Sequence, residues 1–274
     1  MLEAPFSLAR YLIDLQAGGR LTFTRDEAVA VLKVTKGGFL RAAARLQKRG
    51  MLLNPRHGFY VAVPPQFLSW GAPPPPWYID ALMRHQGRSY YVGLLKAAEL
   101  HGATHHAVME FQVVTDRQLR KIRAGRSWVT FHFRKDLESV RDGIVERKTD
   151  TGTMKLSSPE LTALDLLRYV HVAGGVDAVA TLLKDLGGKI DGEKLAVMAV
   201  HFDRACVQRL GYLLDWVGQG ERAKAMHRQL GATKSVPWVV LEPPTRGAGA
   251  SRTAPVERNE RWRVTVQRHP EVDE

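Results

Sequence analysis

Residues 35–50 read TKGGFLRAAARLQKRG, and this stretch decides how the N-terminal part of the chain is interpreted. At about 100° per residue, Arg41, Arg45 and Lys48 would lie within about 60° of one another on a helix. The apolar side chains are expected on the opposite side of that helix: Phe39, Leu40, Ala43 and Leu46. The stretch therefore predicts a helix that packs through one face and presents a positively charged face to an anion.

The flanking sequence predicts two more helices and a β-hairpin. Residues 6–17 carry apolar side chains at helical spacing and are followed by two glycines. Thr24 and Glu27 have the spacing of a capping box, which starts a second helix. Alternating apolar residues over 51–63 read as a hairpin with its turn at 54–58. Three short helices followed by a hairpin are typical of a winged helix-turn-helix.

The charge of the chain favours nucleic acid as the partner of this region. The chain has 40 Lys and Arg against 28 Asp and Glu, a formal net charge of +12. Residues 1–64 hold ten basic and four acidic residues, and this excess of six is half of the net charge. A cationic helix face is often only solvated, but the capped preceding helix and the basic wing favour double-stranded DNA here.

We therefore interpret residues 1–64 as a DNA-binding domain. Arg41, Arg45 and Lys48 are expected to reach the groove and the backbone, since such side chains bind phosphates and guanine edges. Further phosphate contacts are predicted for the remaining cations of this region: Lys36, Arg49 and Arg56.

A proline-rich stretch follows this domain. Residues 64–76 contain six prolines, which cannot sustain a helix or an interior strand. We predict a linker over 65–76, in which the four consecutive prolines form a short polyproline II spacer flanked by Trp70 and Trp77. The alternative is a proline-rich loop inside one domain.

Residues 77–274 mix helical and strand patterns, which predicts a second, larger α+β domain. The fold class is thus α+β, an N-terminal winged helix-turn-helix followed by a larger mixed domain. Ser158 and Pro159 mark a strong helix start. Residues 243–259 read as a loop or disordered insert, before a last strand around Trp262–Val266 that should pair with 238–241. The other predicted elements are helices over 77–86, 90–100, 176–186, 192–202, 204–217 and 221–230, and extended segments over 111–114, 128–133 and within 143–154, including 149–153.

Nothing in this larger part demands catalysis. The sequence has no phosphate-binding glycine loop, no Gly-x-Ser-x-Gly, no His-Glu-x-x-His and no Asp-x-Asp pair. His101, His105 and His106 invite a metal site, but Gly102 interrupts their helix and no ligand-spaced carboxylate or cysteine accompanies them. The single cysteine, Cys206, is expected in the core. We predict no enzyme activity, no cofactor and no metal.

A second basic stretch lies between two predicted strands. Residues 116–126 contain five basic residues and one acid, and are either a solvated loop or a secondary electropositive surface. Its candidate residues are Arg117, Arg120, Lys121, Arg123 and Arg126.

The compartment also follows from composition. No stretch approaches the roughly 20 apolar residues of a membrane helix, and the N-terminus does not resemble a secretory signal. One cysteine excludes an internal disulfide. We expect a cytoplasmic protein without membrane association.

Two stretches of the larger domain resemble the AbiEi family, the antitoxins of type IV toxin–antitoxin systems. They are YYVGLLKAAELHG at 90–102 and KLSSPELTALDLL at 155–167, and the order of features resembles this family over roughly 6–240. The resemblance implies a bacterial protein encoded beside a nucleotidyltransferase toxin that acts in abortive phage defence.

The resemblance also implies a division of labour. The N-terminal domain would repress the shared promoter by binding inverted repeats, and the C-terminal domain would counter the toxin without needing to contact it. Two alternatives stay open: a stand-alone repressor whose C-terminal domain senses a ligand or oligomerises, and an enzyme acting on nucleic acid.

Overall fold

The computed structural model describes residues 7–104, 107–232, 235–242 and 256–273. Its contacts divide the chain into two compact units. The first unit comprises Met1–Tyr91, Met109–Lys135 and Glu146–Lys155, and the second comprises Val92–Val108, Asp136–Val145 and Leu156–Glu274. The sequence predicts a domain over 1–64, a linker over 65–76 and a second domain over 77–274. This division into independently folding parts stays a prediction.

The N-terminal region, residues 7–63, has the element order expected from the sequence. Its elements are α1 (Leu8–Ala17), β1 (Thr22–Thr24), α2 (Arg25–Leu32), α3 (Lys36–Lys48), β2 (Leu52–Arg56) and β3 (Phe59–Ala62). The strands form an antiparallel sheet in the order β1-β3-β2. This arrangement is compatible with a winged helix-turn-helix.

Local signals explain where these helices begin. The predicted capping box is present: Thr24 accepts a hydrogen bond from the backbone N–H of Glu27, whose side chain accepts one from the backbone N–H of Thr24. In the core of the region, aromatic rings meet among leucine and alanine side chains. Tyr60 stacks on Phe23 at 5.5 Å between ring centroids and meets Phe39 edge-on at 5.2 Å.

The four consecutive prolines do not form the short polyproline II spacer that was expected, since the last two belong to a 3-10 turn. The proline-rich stretch contains two 3-10 turns, Pro65–Phe67 and Pro75–Trp77. Proline suits the first position of a helical turn, because the N–H that it lacks has no partner there anyway. Trp77 anchors the second turn, since its indole N–H donates to Asp150 at 2.8 Å.

A six-stranded sheet, most of whose residues belong to the first unit, follows the prolines. The elements of this part are α4 (Ile79–His85), β4 (Tyr90–Val92), α5 (Leu94–Leu100), β5 (Glu110–Thr115), β6 (Ile122–Ala124), β7 (Ser127–Phe133), β8 (Ile144–Thr149) and β9 (Gly152–Ser157). The strand order is β6-β7-β5-β4-β9-β8. β5 and β7 are parallel, and β6 is antiparallel to β7.

Two expectations for this part were wrong. Residues 90–100 are not one helix: Tyr90–Val92 is a fully buried strand and the helix begins only at Leu94. Two tyrosines and a valine favour a pleated strand once a partner strand is available. Residues 149–153 are not one extended segment, because the chain turns at residues 150–151 between β8 and β9.

The second unit is mainly helical. Its remaining elements are α6 (Pro159–Arg168), α7 (Val176–Leu186), α8 (Gly192–Ala199), α9 (Arg204–Trp216), α10 (Lys224–Gly231), β10 (Val239–Val240), β11 (Glu257–Asn259) and β12 (Val264–Val266). The predicted start of α6 is confirmed, since the Ser158 hydroxyl accepts from the N–H of Leu161 at 3.3 Å. Within the described residues, no helix is both long and apolar enough to span a bilayer.

The late strand pairs as expected. β12 pairs with β10 in parallel and with β11 antiparallel. The prediction of a loop up to residue 259 was wrong for Glu257–Asn259, which forms β11, and residues 243–255 lie outside the described residues. Trp262 fixes this small sheet to α9: its ring is fully buried and its indole N–H donates to Asp215 at 2.6 Å.

The contact between Trp262 and α9 gives a stability prediction. A Cβ atom at Gly211, in the middle of α9, would overlap the ring of Trp262. Gly→Ala in a helix normally stabilises by about 0.5–1 kcal/mol. Here we expect Gly211→Ala to destabilise the protein by about 1–3 kcal/mol through overpacking, measured as a lower midpoint of urea unfolding.

Gly231→Ala is the matched control, since a Cβ atom there meets no heavy atom within 4 Å. We expect this variant to unfold at the wild-type midpoint or above it. Equal midpoints for the two variants would contradict the assigned packing of Trp262.

Candidate nucleic-acid interface

Helix α3 is anchored at its N-terminal end and along one face. Thr35 starts it, because its hydroxyl accepts a hydrogen bond from the N–H of Gly38 at 3.1 Å. The side chains of α3 that are buried in the N-terminal region are Phe39, Ala43 and Leu46. These three residues fix the rotation of the helix about its axis and therefore determine which side chains face solvent.

The opposite face of α3 is cationic and solvent-exposed. All five basic residues of the stretch are exposed: Lys36, Arg41, Arg45, Lys48 and Arg49. Among the residues that the structure describes, no carboxylate forms an ion pair with any of them. The structure thus brings Arg41, Arg45 and Lys48 together on one face of the helix. Lys36 and Arg49 lie at its two ends, and all five charges are available to a partner.

The prediction that Leu40 belongs to the buried face was wrong. The Leu40 side chain is 48% exposed. At about 100° per residue, Leu40 lies about 100° from Arg41 around the helix axis. The centre of the buried face, near Phe39, lies about 160° from Arg41. Leu40 is therefore on the flank of the cationic face.

The hairpin that would form the wing is tighter than expected. The turn comprises only His57 and Gly58, and residues 54–56 belong to β2 rather than to a longer turn. The amide of Asn54 closes the hairpin by donating to the carbonyls of Arg56 and Phe59, both at 2.7 Å. Gly58 has φ +75°, a conformation that favours glycine.

Arg56 differs from the cations of α3 in its surroundings. Its guanidinium donates to the backbone carbonyl of Arg120 and lies 5.5 Å from the ring centroid of Phe131. Partial burial lowers the pKa of Arg56 below its ordinary value, although a guanidinium stays charged at neutral pH. The structure thus directs Arg56 toward the second basic stretch, and its assignment as a phosphate contact stays a prediction.

The second basic stretch is exposed at all of its basic positions. The exposed residues are Arg117, Arg120, Lys121, Arg123 and Arg126. Two of them are ordered by aromatic rings: the ammonium of Lys121 lies 4.3 Å from the ring centroid of Trp128, and the guanidinium of Arg126 lies 5.7 Å from that of Trp70. No local pattern predicted the pair of Arg126 and Trp70, because these residues are distant along the chain.

Two of the residues considered for catalysis or metal binding make hydrogen bonds within the fold. Cys206 is buried, its thiol donates to the carbonyl of Leu164 at 3.4 Å, and burial raises its pKa. The imidazole of His101 lies 2.7 Å from the carbonyl of Ser157. In the described part of the chain no three His, Cys, Asp or Glu side chains form a metal-binding group, and His105 and His106 lie outside it.

A polar cleft in the first unit was not foreseen from the sequence. It has a volume of about 390 Å³ and is lined in part by Arg20, Trp77, Asp80 and Arg84. Both of its arginines are already paired, Arg20 with Glu27 and Arg84 with Asp80, each at 2.8 Å. The cleft therefore has polar walls whose charges are largely compensated.

Comparisons with known proteins extend this description. The crystal structure of the RV2827C protein from Mycobacterium tuberculosis matches with a TM-score of 0.67 and 16% identity, covering 97% of this chain and 92% of that one. This likeness confirms the α+β fold. No curated protein matches the chain.

A family model matches the middle of the chain. Residues 91–216 match the AbiEi antitoxin C-terminal domain, a family of antitoxins rather than of enzymes, whose role implies a toxin as partner. The match contains both stretches on which the resemblance was based, except for Tyr90. Over residues 91–216, the chain is thus similar to the C-terminal domain of the AbiEi antitoxins, which supports the resemblance seen in the sequence.

Proposed function

We propose that this chain binds its own promoter as an autorepressor and is the antitoxin of a type IV pair whose toxin is a nucleotidyltransferase. The observation that carries the DNA-binding half is helix α3. One face of this helix is buried in the N-terminal region, and its five cations are exposed without a carboxylate partner in the described residues.

The dimensions and charge of α3 suit the major groove. An α-helix with its side chains fits a groove about 12 Å wide, where arginine can pair with guanine O6 and N7. We assign base and backbone contacts to Arg41, Arg45 and Lys48, and phosphate contacts to Lys36 and Arg49. The DNA is double-stranded, and inverted repeats in the promoter would be occupied by two copies.

The second basic stretch supports a larger footprint on DNA. Arg56 in β2 contacts the backbone of Arg120, so this stretch adjoins the hairpin that would form the wing. Its cations are proposed to contact phosphates flanking the site. Such contacts add affinity without sequence preference.

The antitoxin half of the proposal is supported by the family match over 91–216. We propose that the AbiEi domain counters the toxin without requiring direct contact, and that it has no catalytic activity of its own. The second candidate function is a stand-alone repressor that senses a ligand or oligomerises. The polar cleft of the first unit favours ligand sensing, and its compensated charges suit a neutral polar molecule.

The first prediction concerns the helix face. The variant Arg41→Ala/Arg45→Ala/Lys48→Ala should lose specific binding to the DNA upstream of its own gene in a mobility-shift titration. Each lost phosphate contact should lower the slope of log affinity against log salt by about 0.9. Thermal unfolding should be nearly unchanged, since exposed positions contribute within about 0.5 kcal/mol each.

The control removes the same charge elsewhere. Arg222→Ala/Lys224→Ala/Arg228→Ala replaces three exposed cations at and near α10. We expect this control to bind like the wild type. If the α3 triple variant binds the promoter DNA as tightly as the control variant does, α3 does not contact the DNA.

The second prediction concerns the basic stretch. Arg117→Ala/Arg120→Ala/Arg123→Ala leaves the two cations on tryptophan rings in place. We expect weaker binding to specific and unrelated duplexes by the same factor, with a smaller salt slope. Unchanged affinity for both duplexes would identify the stretch as a solvated segment.

The third prediction separates repression from antitoxin activity. Expressed from an unrelated promoter together with the neighbouring nucleotidyltransferase, the full chain and the α3 triple variant should relieve growth inhibition equally. Only the wild type should repress a reporter driven by the native promoter. No rescue by the wild type, or no nucleotidyltransferase gene beside it, would leave the stand-alone repressor.

A further inference from the structure

The exposed face of α3 is not uniformly cationic. Beside the arginines lies a row of uncharged residues one turn apart: Gly37, Leu40 and Ala44, all exposed. Residues three and four positions apart are neighbours on a helix surface, so these residues form one continuous strip along the flank of Arg41. This strip has no acidic or basic side chain.

Only two residues of this strip have side chains that project from the helix surface, namely Leu40 and Ala44. A Cβ atom added to Gly37 would lie 3.8 Å from Nη1 of Arg41, so the Arg41 guanidinium lies close to the bare backbone of Gly37. Ala44 offers only a methyl group on the next turn. Leu40, between them, is 48% exposed and is the largest apolar group on the strip. A partner that meets Arg41 therefore also meets Leu40.

The chemistry of the neighbouring groups indicates which partner this is. A single exposed leucine is ordinary on a protein surface and needs no explanation by itself. Here, however, it stands beside five cations on one helix, which would repel the same face of a second copy and attract a polyanion. In the major groove, the C5-methyl group of thymine is the apolar feature of the base edges.

We propose that Leu40, with Ala44 beside it, contacts thymine methyl groups and makes the protein select A·T pairs next to the pair read by Arg41. This inference rests on the proposed DNA-binding function and adds a determinant of sequence specificity. Arg41 would read a guanine edge by hydrogen bonds, while Leu40 reads the adjoining methyl group by apolar contact.

The test removes one methyl group at a time from the DNA. A duplex enriched by the wild-type chain from a random-sequence pool is prepared with each thymine replaced in turn by deoxyuridine, which lacks only the C5-methyl group. We expect one or two of these replacements to weaken wild-type binding roughly threefold to tenfold. Leu40→Ala should bind the thymine and deoxyuridine duplexes equally.

Two variants control for indirect effects. Ile13→Ala removes an apolar side chain of α1 that is 56% exposed, and should keep the wild-type dependence on the methyl group. Leu40→Met keeps an apolar side chain and should retain most of that dependence. Thermal unfolding of all three variants should match the wild type.

The outcomes distinguish a failure of the proposed DNA binding from a failure of the proposed contact with thymine methyl groups. If the wild type enriches no sequence from the pool, DNA recognition itself fails. If it enriches a sequence but no thymine replacement matters, or Leu40→Ala keeps the same methyl dependence, the methyl readout by Leu40 is overturned. The methyl readout is also overturned if Leu40→Ala changes the oligomeric mass of the protein while binding shows no dependence on thymine methyl groups. Leu40 would then belong to a protein contact together with Val31 and Val34, which are exposed as well.

Discussion

The packing of Phe39 against Tyr60 is the contact on which the candidate interface depends. Phe39 is almost completely buried and meets the Tyr60 ring edge-on, so α3 is held against the hairpin of the N-terminal region. An aromatic pair of this kind contributes about 0.5–1.5 kcal/mol beyond its buried area. With one face of α3 fixed in this way, the chain has no freedom to turn Arg41 and Arg45 inward.

The first unit joins two basic segments that are far apart in sequence. Arg56 donates to the carbonyl of Arg120, and the Phe131 ring lies beneath its guanidinium. Aromatic rings likewise hold Lys121 and Arg126. Cations ordered before binding lose less side-chain entropy on meeting a phosphate, which favours a preformed electropositive surface.

The second unit shows how a small sheet late in the chain is held in place. Trp262 is buried against Gly211 of α9, and the amide of Gln208 donates to the Trp262 carbonyl at 2.9 Å. The AbiEi match ends at residue 216, the last residue of α9, so β10–β12 lie beyond it. This small sheet is therefore an addition to the matched part of the chain, packed on its last helix.

Local sequence determined the helices of this protein and the amphipathic character of α3. The capping box at Thr24, the start of α6 at Ser158 and the cationic face were predicted because each depends on residues within about one or two helical turns. The antitoxin family was likewise recognised from two short stretches. These features need no knowledge of distant parts of the chain.

Tertiary structure alone decided two strands that local patterns did not predict, and the surroundings of individual side chains. Tyr90–Val92 is a strand because Val92 pairs with Leu156, and Glu257–Asn259 is a strand because it pairs with β12. The exposure of Leu40 and the orientation of Arg56 also depend on groups that other elements bring close. Where a segment lacks local alternation, its pairing and the burial of its side chains depend on residues distant in sequence, whereas helical hydrogen bonds and caps join near neighbours.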